Sequence, residues 1–498
     1  MGRVNLNRET LTLEQREQFE RMAGSPVTVL QIGEGNFLRG FADWMLHVCR
    51  EQGLLQGSVA VTQPRPSGRR KIEQLNEQDR LYTLVVRGIE NGKKVERRDI
   101  VTVFSQAFSP YEEWERMGEL VESSELRFVL SNTTEAGLVY KPEPLTEGPV
   151  QSFPGKIAYL LYRRYVAFGG AADKGLIFLP CELLERNGDA LRDAVLRYAA
   201  DWGLPDTYLE WVRHCNRFLN TLVDRIVTGF PDEDQAETWF STWGYDDALT
   251  TTAEPYYLWV IEGEAGLDDE LPLRKAGLNV VWTNDLASFQ QRKVRMLNAA
   301  HTWMAPLGLL HGIGHVREFM EHPTFGSTVR AAILEDITLT LPYPRTELMD
   351  YGNSVFERFA NPYIEHRLAD IAMNSLSKFR TRLLPALRHY ASSGRPVPER
   401  LAAGLAGLLR YYRVRRTGDS FEGRDLLGQT YKVKDDSELL SVLASLWEQA
   451  ELNREETAVT VTRLLALDSV WGENLAAWHG LVEAVCAIRE LWEGGKKR

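Results

Sequence analysis

Cysteine is scarce in this chain. There are four, at positions 49, 181, 215 and 486 of 498 residues, and none forms a Cys-x-x-Cys pair, so neither a disulfide framework nor a zinc ribbon is expected. Long apolar runs are missing too. None reaches the roughly 18 residues of a membrane span, and the charged start, Met1 to Met22, has no apolar stretch of a signal peptide. Positive charge is short: 58 Lys+Arg stand against 69 Asp+Glu, a net charge of −11. That deficit argues against a general nucleic-acid binder or a polybasic membrane-surface protein. Any anionic ligand must therefore be met by a local cluster of positive groups. No internal period is visible, which excludes a solenoid. A reducing, cytoplasmic location is the expectation.

What is present is ordinary globular usage, 44% apolar and 26% charged residues, in a chain long enough for two large domains or three smaller ones. Val27 to Ile32 reads as a buried strand, Gly33 to Asn36 as a tight turn, and Phe37 to Arg50 as a helix with apolar residues at 37, 41, 44, 45 and 48. Ser58 to Thr62 is the next strand, completing a βαβ unit. A hairpin follows around Asn91-Gly92. Further strands are expected at 126–131 and 175–179, with a helix at 156–168. Strands alternating with helices predict an α/β fold, a Rossmann-like doubly wound sheet. From Asp189 onward helical patterns dominate, at 189–202, 206–220, 285–310, 327–339, 353–360, 362–390, 398–413, 436–450 and 455–467. Residues 256–261 and 279–282 read as the last strands. The boundary is placed at Asn284, a helix cap, giving an α/β domain over 1–284 and a mainly α-helical domain over 285–498.

Gly33-x-Gly35 follows a strand and opens a helix, which suits backbone N–H groups approaching a pyrophosphate. The third fingerprint position is Leu38, however, so the pair on its own fits a structural turn equally well. The strand at 58–62 ends in Gln63-Pro64-Arg65 with no acidic residue for a ribose hydroxyl. NAD and NADP both stay open, and Arg65, Arg69 and Arg70 are either 2′-phosphate partners or solvated charges. Ser131 to Glu135 closes another strand with five polar side chains, which are ligand groups or an ordinary helix cap.

Lys293, Asn298 and His301 lie on one predicted helix. At about 100° per residue, Asn298 is about 140° and His301 about 80° from Lys293, while Arg295 points about 200° away. A lysine can act as acid or base, an asparagine amide can donate to an alkoxide, and a histidine can position hydroxyls. Read from spacing alone, a solvated basic stripe with a core histidine fits better. His311-Gly-Ile-Gly-His315 has i, i+4 spacing, but two glycines and no glutamate base make a zinc site improbable.

The segment Lys293-x-Arg295-x-Leu297-Asn298-x-x-His301 resembles the catalytic signature of the long-chain polyol dehydrogenase family, which includes mannitol 2-dehydrogenase and the hexuronate reductases. Gly33, Gly35, Phe37 and Arg39, then Asn187-Gly188, Val223 to Ile226 and Glu254-Pro255, are similar in the same order. The stretches 33–39, 131–137, 361–362 and 374–378 resemble the hexuronate branch. Asp370 stands where the mannitol branch carries an arginine, which counts against a plain polyol. The resemblance implies NAD-dependent reduction of a keto sugar acid without a metal. It implies Lys293 as acid/base, Asn187 and Asn298 as the oxyanion pair and His301 as the orienting group. Gly33, Gly35, Asn36, Phe37, Arg39, Asn132 and Thr133 would bind the cofactor, and Asp224 would support the substrate site. For the substrate carboxylate Lys378 ranks first, with Arg380 and Arg382 behind it. A reading of a different class is a non-catalytic dinucleotide-binding redox sensor, against which the complete Lys293, Asn298 and His301 set argues. The oligomeric state stays open.

Overall fold

The computed structural model describes residues 3–146 and 148–492. It divides into two compact units, Met1–Phe289 and Gln290–Arg498.

The first unit is built on a six-stranded, wholly parallel sheet. Its strands in chain order are β1 (Val27–Ile32), β2 (Ser58–Thr62), β3 (Phe104–Phe108), β4 (Phe128–Ser131), β5 (Ile177–Pro180) and β6 (Arg217–Phe218). They lie side by side as β3-β2-β1-β4-β5-β6, the order of a dinucleotide-binding doubly wound sheet, with the chain reversing direction between β1 and β4. Successive residues of a strand face opposite sides, and β1 uses both. Val29 enters one apolar core, with Phe41, Met45 and Trp259, while Leu30 and Ile32 enter the other, with Ile157, Leu161 and Val195. A sheet buried on both faces explains why these strands read as continuous apolar runs.

The hairpin forms as expected, with Tyr82–Glu90 paired to Lys93–Val101 and the turn made by Asn91 and Gly92 at φ 53° and 73°. It belongs to a second, mixed four-stranded sheet that the sequence pattern does not announce. A further three-stranded sheet joins Thr221–Asp224, Leu258–Glu262 and Val280–Thr283.

Several boundaries differ from the sequence reading. The helix expected over 37–50 is two helices, Asn36–Arg39 and Ala42–Glu51. Gly40 lies so close to Val227 that a Cβ there would meet its side chain at 2.8 Å, and the carbonyl of Gly40 accepts from Arg225 at 2.8 Å. The helix expected over 206–220 stops at Cys215, because Arg217 and Phe218 pair with β5 as the sheet edge. A helix at Glu233–Trp243, capped by Asp232, was not foreseen.

The second unit is mainly helical. The long helix begins at Leu286, and Asp285 rather than Asn284 caps it, its Oδ1 accepting from Ser288 N–H at 3.2 Å. The stretch 362–390 is not one helix but three, Leu368–Ile371, Ser375–Arg382 and Leu384–Ser392, with Asn374 at φ 55° before the second. The left-handed Asn374 separates the first two, and Pro385, in the first turn of the third, cannot continue the second. The strands at 258–262 and 280–283 are not the last. Val414–Thr417, Ser420–Arg424 and Thr430–Val433 make an antiparallel sheet, hidden in the sequence by its largely polar residues. Among the described residues no helix is long and apolar enough to cross a membrane.

Candidate active site

In the first unit the site is assembled at the carboxyl ends of β1, β4 and β5. Gly33 leaves β1 at φ +140°, where a Cβ would stand 3.1 Å from the carbonyl oxygen of Asn132 and 3.2 Å from Leu38. Only glycine accommodates both the angle and the approach. Gly35 caps the short helix, and among the described residues nothing lies within 4 Å of where its Cβ would stand. The carbonyls of the turn are all held. Gln31 Nε2 donates to Gly33 O at 2.9 Å and Arg39 Nη1 to Glu34 O at 2.6 Å. The N–H groups of Gly35, Asn36 and Phe37 meet no acceptor among the described residues. Satisfied carbonyls beside unmet N–H groups make a turn complementary to an anion, so these residues fit a dinucleotide pyrophosphate.

Arg39 is 2% exposed, and its guanidinium is taken up by the protein. Besides Glu34 O it reaches Asn36 Oδ1 at 2.6 Å and Thr251 Oγ1 at 3.1 Å, over the Tyr82 ring. It shapes the glycine turn from beneath. Phe37 stacks on Phe41 at 5.0 Å. Asp43, also buried, accepts from Gln31 at 3.1 Å, and burial pushes its carboxyl up to about 7.

The ends of β4 and β5 are tied by a group that the sequence reading missed. Glu182 is buried, and it accepts from Thr133 N at 2.8 Å, Thr133 Oγ1 at 3.1 Å and Ser131 Oγ at 3.1 Å. Burial raises its carboxyl above the usual range while these bonds pull it down. The signal was available: an acid two residues past a buried strand, opposite the polar run 131–135. Asn132 donates to Cys181 O at 2.7 Å. Asn187 is 0% exposed and all its polar atoms are engaged. Its amide donates to Pro180 O at 3.0 Å and Glu182 O at 3.1 Å, and its oxygen accepts from Thr221 N at 2.8 Å. In this arrangement Asn187 is a brace for the β5 end. Asp224 is buried at the end of its strand. Beside it Arg225 donates to Glu254 O at 3.0 Å as well as to Gly40 O, sandwiched by Trp44 and Tyr257.

In the second unit Lys293, Asn298 and His301 share the long helix, but the helix is not regular. Val294–Asn298 is a π turn between Leu286–Lys293 and Ala299–Leu310. In a π turn residues five apart are bonded neighbours, so Asn298 sits one turn below Lys293. The 140° separation that a regular α-helix would give does not apply. Arg295 donates to Arg382 O at 3.1 Å and to Thr340 Oγ1 at 3.3 Å. The His301 ring stacks on Phe359 at 4.4 Å and meets His366 edge-on at 5.7 Å. Its Nε2 is buried and has no hydrogen-bond partner among the described residues. Burial, helped by His366, Arg358, Arg382 and Lys378, holds its pKa well below the usual value, so the ring is neutral at working pH.

Lys378 donates to Ile371 O at 2.9 Å. Arg382 turns inward, its Nη1 donating to Thr302 Oγ1 at 3.0 Å and reaching Asn298 O at 3.5 Å. Arg380 is exposed and lies against Gly472, apart from this group. His311 bonds Leu307 O, and His315 caps the helix Val316–Glu321. Among the described residues no cluster of metal-ligating side chains occurs.

Two family models cover the chain. Residues 27–275 match the mannitol dehydrogenase Rossmann domain and residues 285–491 the mannitol dehydrogenase C-terminal domain. The chain belongs to the mannitol dehydrogenase family. It is 40% identical over 471 residues to an altronate oxidoreductase of Halalkalibacterium halodurans, covering 94% of this chain and 91% of that one. To an altronate oxidoreductase of Bacillus subtilis it is 40% identical over 476 residues, covering 95% and 94%. Among solved structures, a D-sorbitol dehydrogenase superposes with a TM-score of 0.75 at 22% identity, covering 95% of this chain and 94% of that one. The mannitol 2-dehydrogenase of Pseudomonas fluorescens, solved with NAD and D-mannitol, gives 0.62 at 23%, covering 97% and 93%. These two establish the shared fold. As a member of the family the chain is an oxidoreductase acting on CH–OH groups.

Proposed function

We propose that this member of the mannitol dehydrogenase family interconverts D-tagaturonate and D-altronate with NADH and NAD, with Lys293 as the acid/base. The observation that carries this reading is the 40% identity to altronate oxidoreductases across more than nine-tenths of the chain. The nicotinamide, when bound, delivers or accepts the hydride. The Gly33–Phe37 turn would hold the cofactor's pyrophosphate through the unmet N–H groups of Gly35, Asn36 and Phe37. Protonated Lys293 donates to the keto oxygen as that oxygen gains charge, and in the other direction the neutral amine takes the hydroxyl proton. The Asn298 amide, one π turn away, donates to the same oxygen and lowers the cost of its charge. His301, kept neutral, orients a neighbouring hydroxyl through Nε2. Asn187 and Glu182 keep the β4 and β5 ends in place rather than touching the reacting atoms.

The test is a panel assay following NADH and NADPH oxidation with D-tagaturonate, D-fructuronate and D-fructose. Tagaturonate with NADH is expected to give the highest kcat/KM. Equal rates on fructose and tagaturonate would sink the sugar-acid reading, and a preference for fructuronate would move the assignment to the sister reductase. In the same assay Lys293→Ala is expected to keep NADH binding and lose turnover by at least about 10³-fold. Near-normal turnover would remove Lys293 from the mechanism.

A further inference from the structure

Around His301 the protein gathers positive charge that it answers only in part: the Asp435 carboxylate acts on Lys378, whereas among the described residues no carboxylate acts on Arg382. Lys378 and Arg382 are half-buried, and neither makes a salt bridge among the described residues. His366 faces His301 edge-on, and the buried Nε2 of His301 has no hydrogen-bond partner among the described residues. In a chain with eleven more acidic than basic residues, carboxylates are plentiful, yet none is bonded to either cation. Cations drawn partly out of water without a counter-ion are costly. The arrangement is relieved when an anion enters from outside.

The two cations are not equivalent. Lys378 is a point charge with one donor engaged by Ile371 O. Arg382 is a planar fork whose Nη1 is anchored on Thr302, one residue past His301, and next to Asn298 O on the preceding turn. The Nε and Nη2 edge meets no acceptor among the described residues. A fork fixed at one corner with an open edge is suited to a bidentate carboxylate, and a lysine is not. The anchor also fixes where that carboxylate lies, beside the helix face that carries Asn298 and His301.

We propose that Arg382, held by Thr302, is the principal anchor of the substrate carboxylate, and that Lys378 supports it only through its charge. The proposal rests on the sugar-acid reading above and ranks Arg382 ahead of Lys378, the reverse of the order that sequence alone suggests. It makes Arg382 the residue that sets acid over neutral sugar.

The experiment uses the full chain with saturating NADH and follows D-tagaturonate reduction by wild type, Arg382→Ala, Arg382→Lys, Lys378→Met and Thr302→Val. Arg382→Ala is expected to raise the KM for tagaturonate by about 30-fold or more, the size expected for losing one partner of a desolvated charge pair, with a much smaller change in kcat. Added guanidinium ion is expected to restore part of the loss in Arg382→Ala and none in Lys378→Met. Thr302→Val, which keeps shape and removes the anchor, is expected to raise KM several-fold, and Lys378→Met less than Arg382→Ala. An unchanged KM in Arg382→Ala, a loss confined to kcat, or a larger effect from Lys378→Met than from Arg382→Ala would overturn the proposal. If Arg382→Ala does not fold, Arg382→Lys and Thr302→Val carry the same KM test. The wild-type control separates the two ideas. Absence of tagaturonate turnover by wild type defeats the reading itself, whereas normal wild-type turnover with indifferent Arg382 variants defeats only the anchor.

Discussion

At the scale of the residue, the first unit hides charge beneath its glycine turn, and that charge has a consequence for stability. Asp43 is wholly buried, and burial pushes its carboxyl from the ordinary value of 3.8 to about 7. Between those two pH values the folded protein keeps a proton on Asp43 that the unfolded chain has lost. Stability from this group is therefore full at low pH and falls as pH rises toward 7, by about 1.4 kcal/mol per pH unit. Asp43→Asn keeps the shape and the neutral hydrogen-bonding group but removes the proton. Its melting temperature is expected to gain on that of wild type steadily between pH 5 and pH 7. A constant difference across that range would assign the proton elsewhere. The same scale shows what sequence reasoning could and could not see. Gly33, Gly35, Lys293, Asn298 and His301 were legible as candidates because motif and spacing point to them, and their roles belong to the proposal above. Asn187 and Arg39 were legible as motif members, but not as buried braces, because burial is a property of neighbours distant in sequence. Glu182 and Arg382 gain their meaning only from partners brought to them by the fold, Thr133 and Ser131 for one and Thr302 for the other.

At the scale of the element, the regular period of a helix is a good guide until the helix departs from it. The long helix at 286–310 follows its apolar pattern from end to end, yet the five residues between Lys293 and Ala299 are π-helical. Nothing in Val294-Arg295-Met296-Leu297-Asn298 marks this locally. Met296 and Leu297 are buried, and Arg295 is tied to Arg382 O and Thr340, so packing and long-range bonds hold the wider turn. The strands at 414–433 escaped the sequence reading for the complementary reason: much of that small sheet is exposed and polar, so period-two alternation is faint. The π turn has a testable consequence. Deleting Val294 allows the backbone to return to regular α-helical bonding while keeping Lys293 and Asn298, now four apart instead of five. The helix should persist by circular dichroism and NADH should still bind. Turnover is expected to fall about 100-fold, because displacing a catalytic group by about 1 Å costs that much. A variant that retains wild-type kcat would show that the π turn has no part in placing the two side chains.

At the scale of the whole molecule, four of the six strands of the central sheet were legible because parallel strands buried on both faces leave unbroken apolar runs, as at 27–32 and 58–62, whereas Phe104–Phe108 was not expected and Arg217–Phe218 lay inside an expected helix. The pairing in the smaller sheets of the first unit was less legible: the hairpin and the strands at 256–261 and 279–282 were expected, but their partners come from segments far apart in sequence, such as Tyr82–Glu90 beside Thr251–Ala253. Net charge is the other property of the whole chain, and it opposes the proposed chemistry. A net charge of −11 repels anions such as a dinucleotide and a sugar acid at long range, while in the proposed scheme the glycine turn and Arg382 attract them at contact. Salt acts unequally on the two. Dissolved ions screen charges separated by more than about 10 Å at 0.1 M, and they screen half-buried pairs far less. Raising KCl from about 0.02 to about 0.15 M should therefore remove repulsion before it weakens the anchor. The kcat/KM for tagaturonate is expected to rise modestly, by about 3-fold or less, over that range. An enzyme that gathered its anionic substrate with a broad basic surface would show a steep fall instead. A steep fall measured here would mean that exposed cations, rather than the anchored fork of Arg382, bring the carboxylate in.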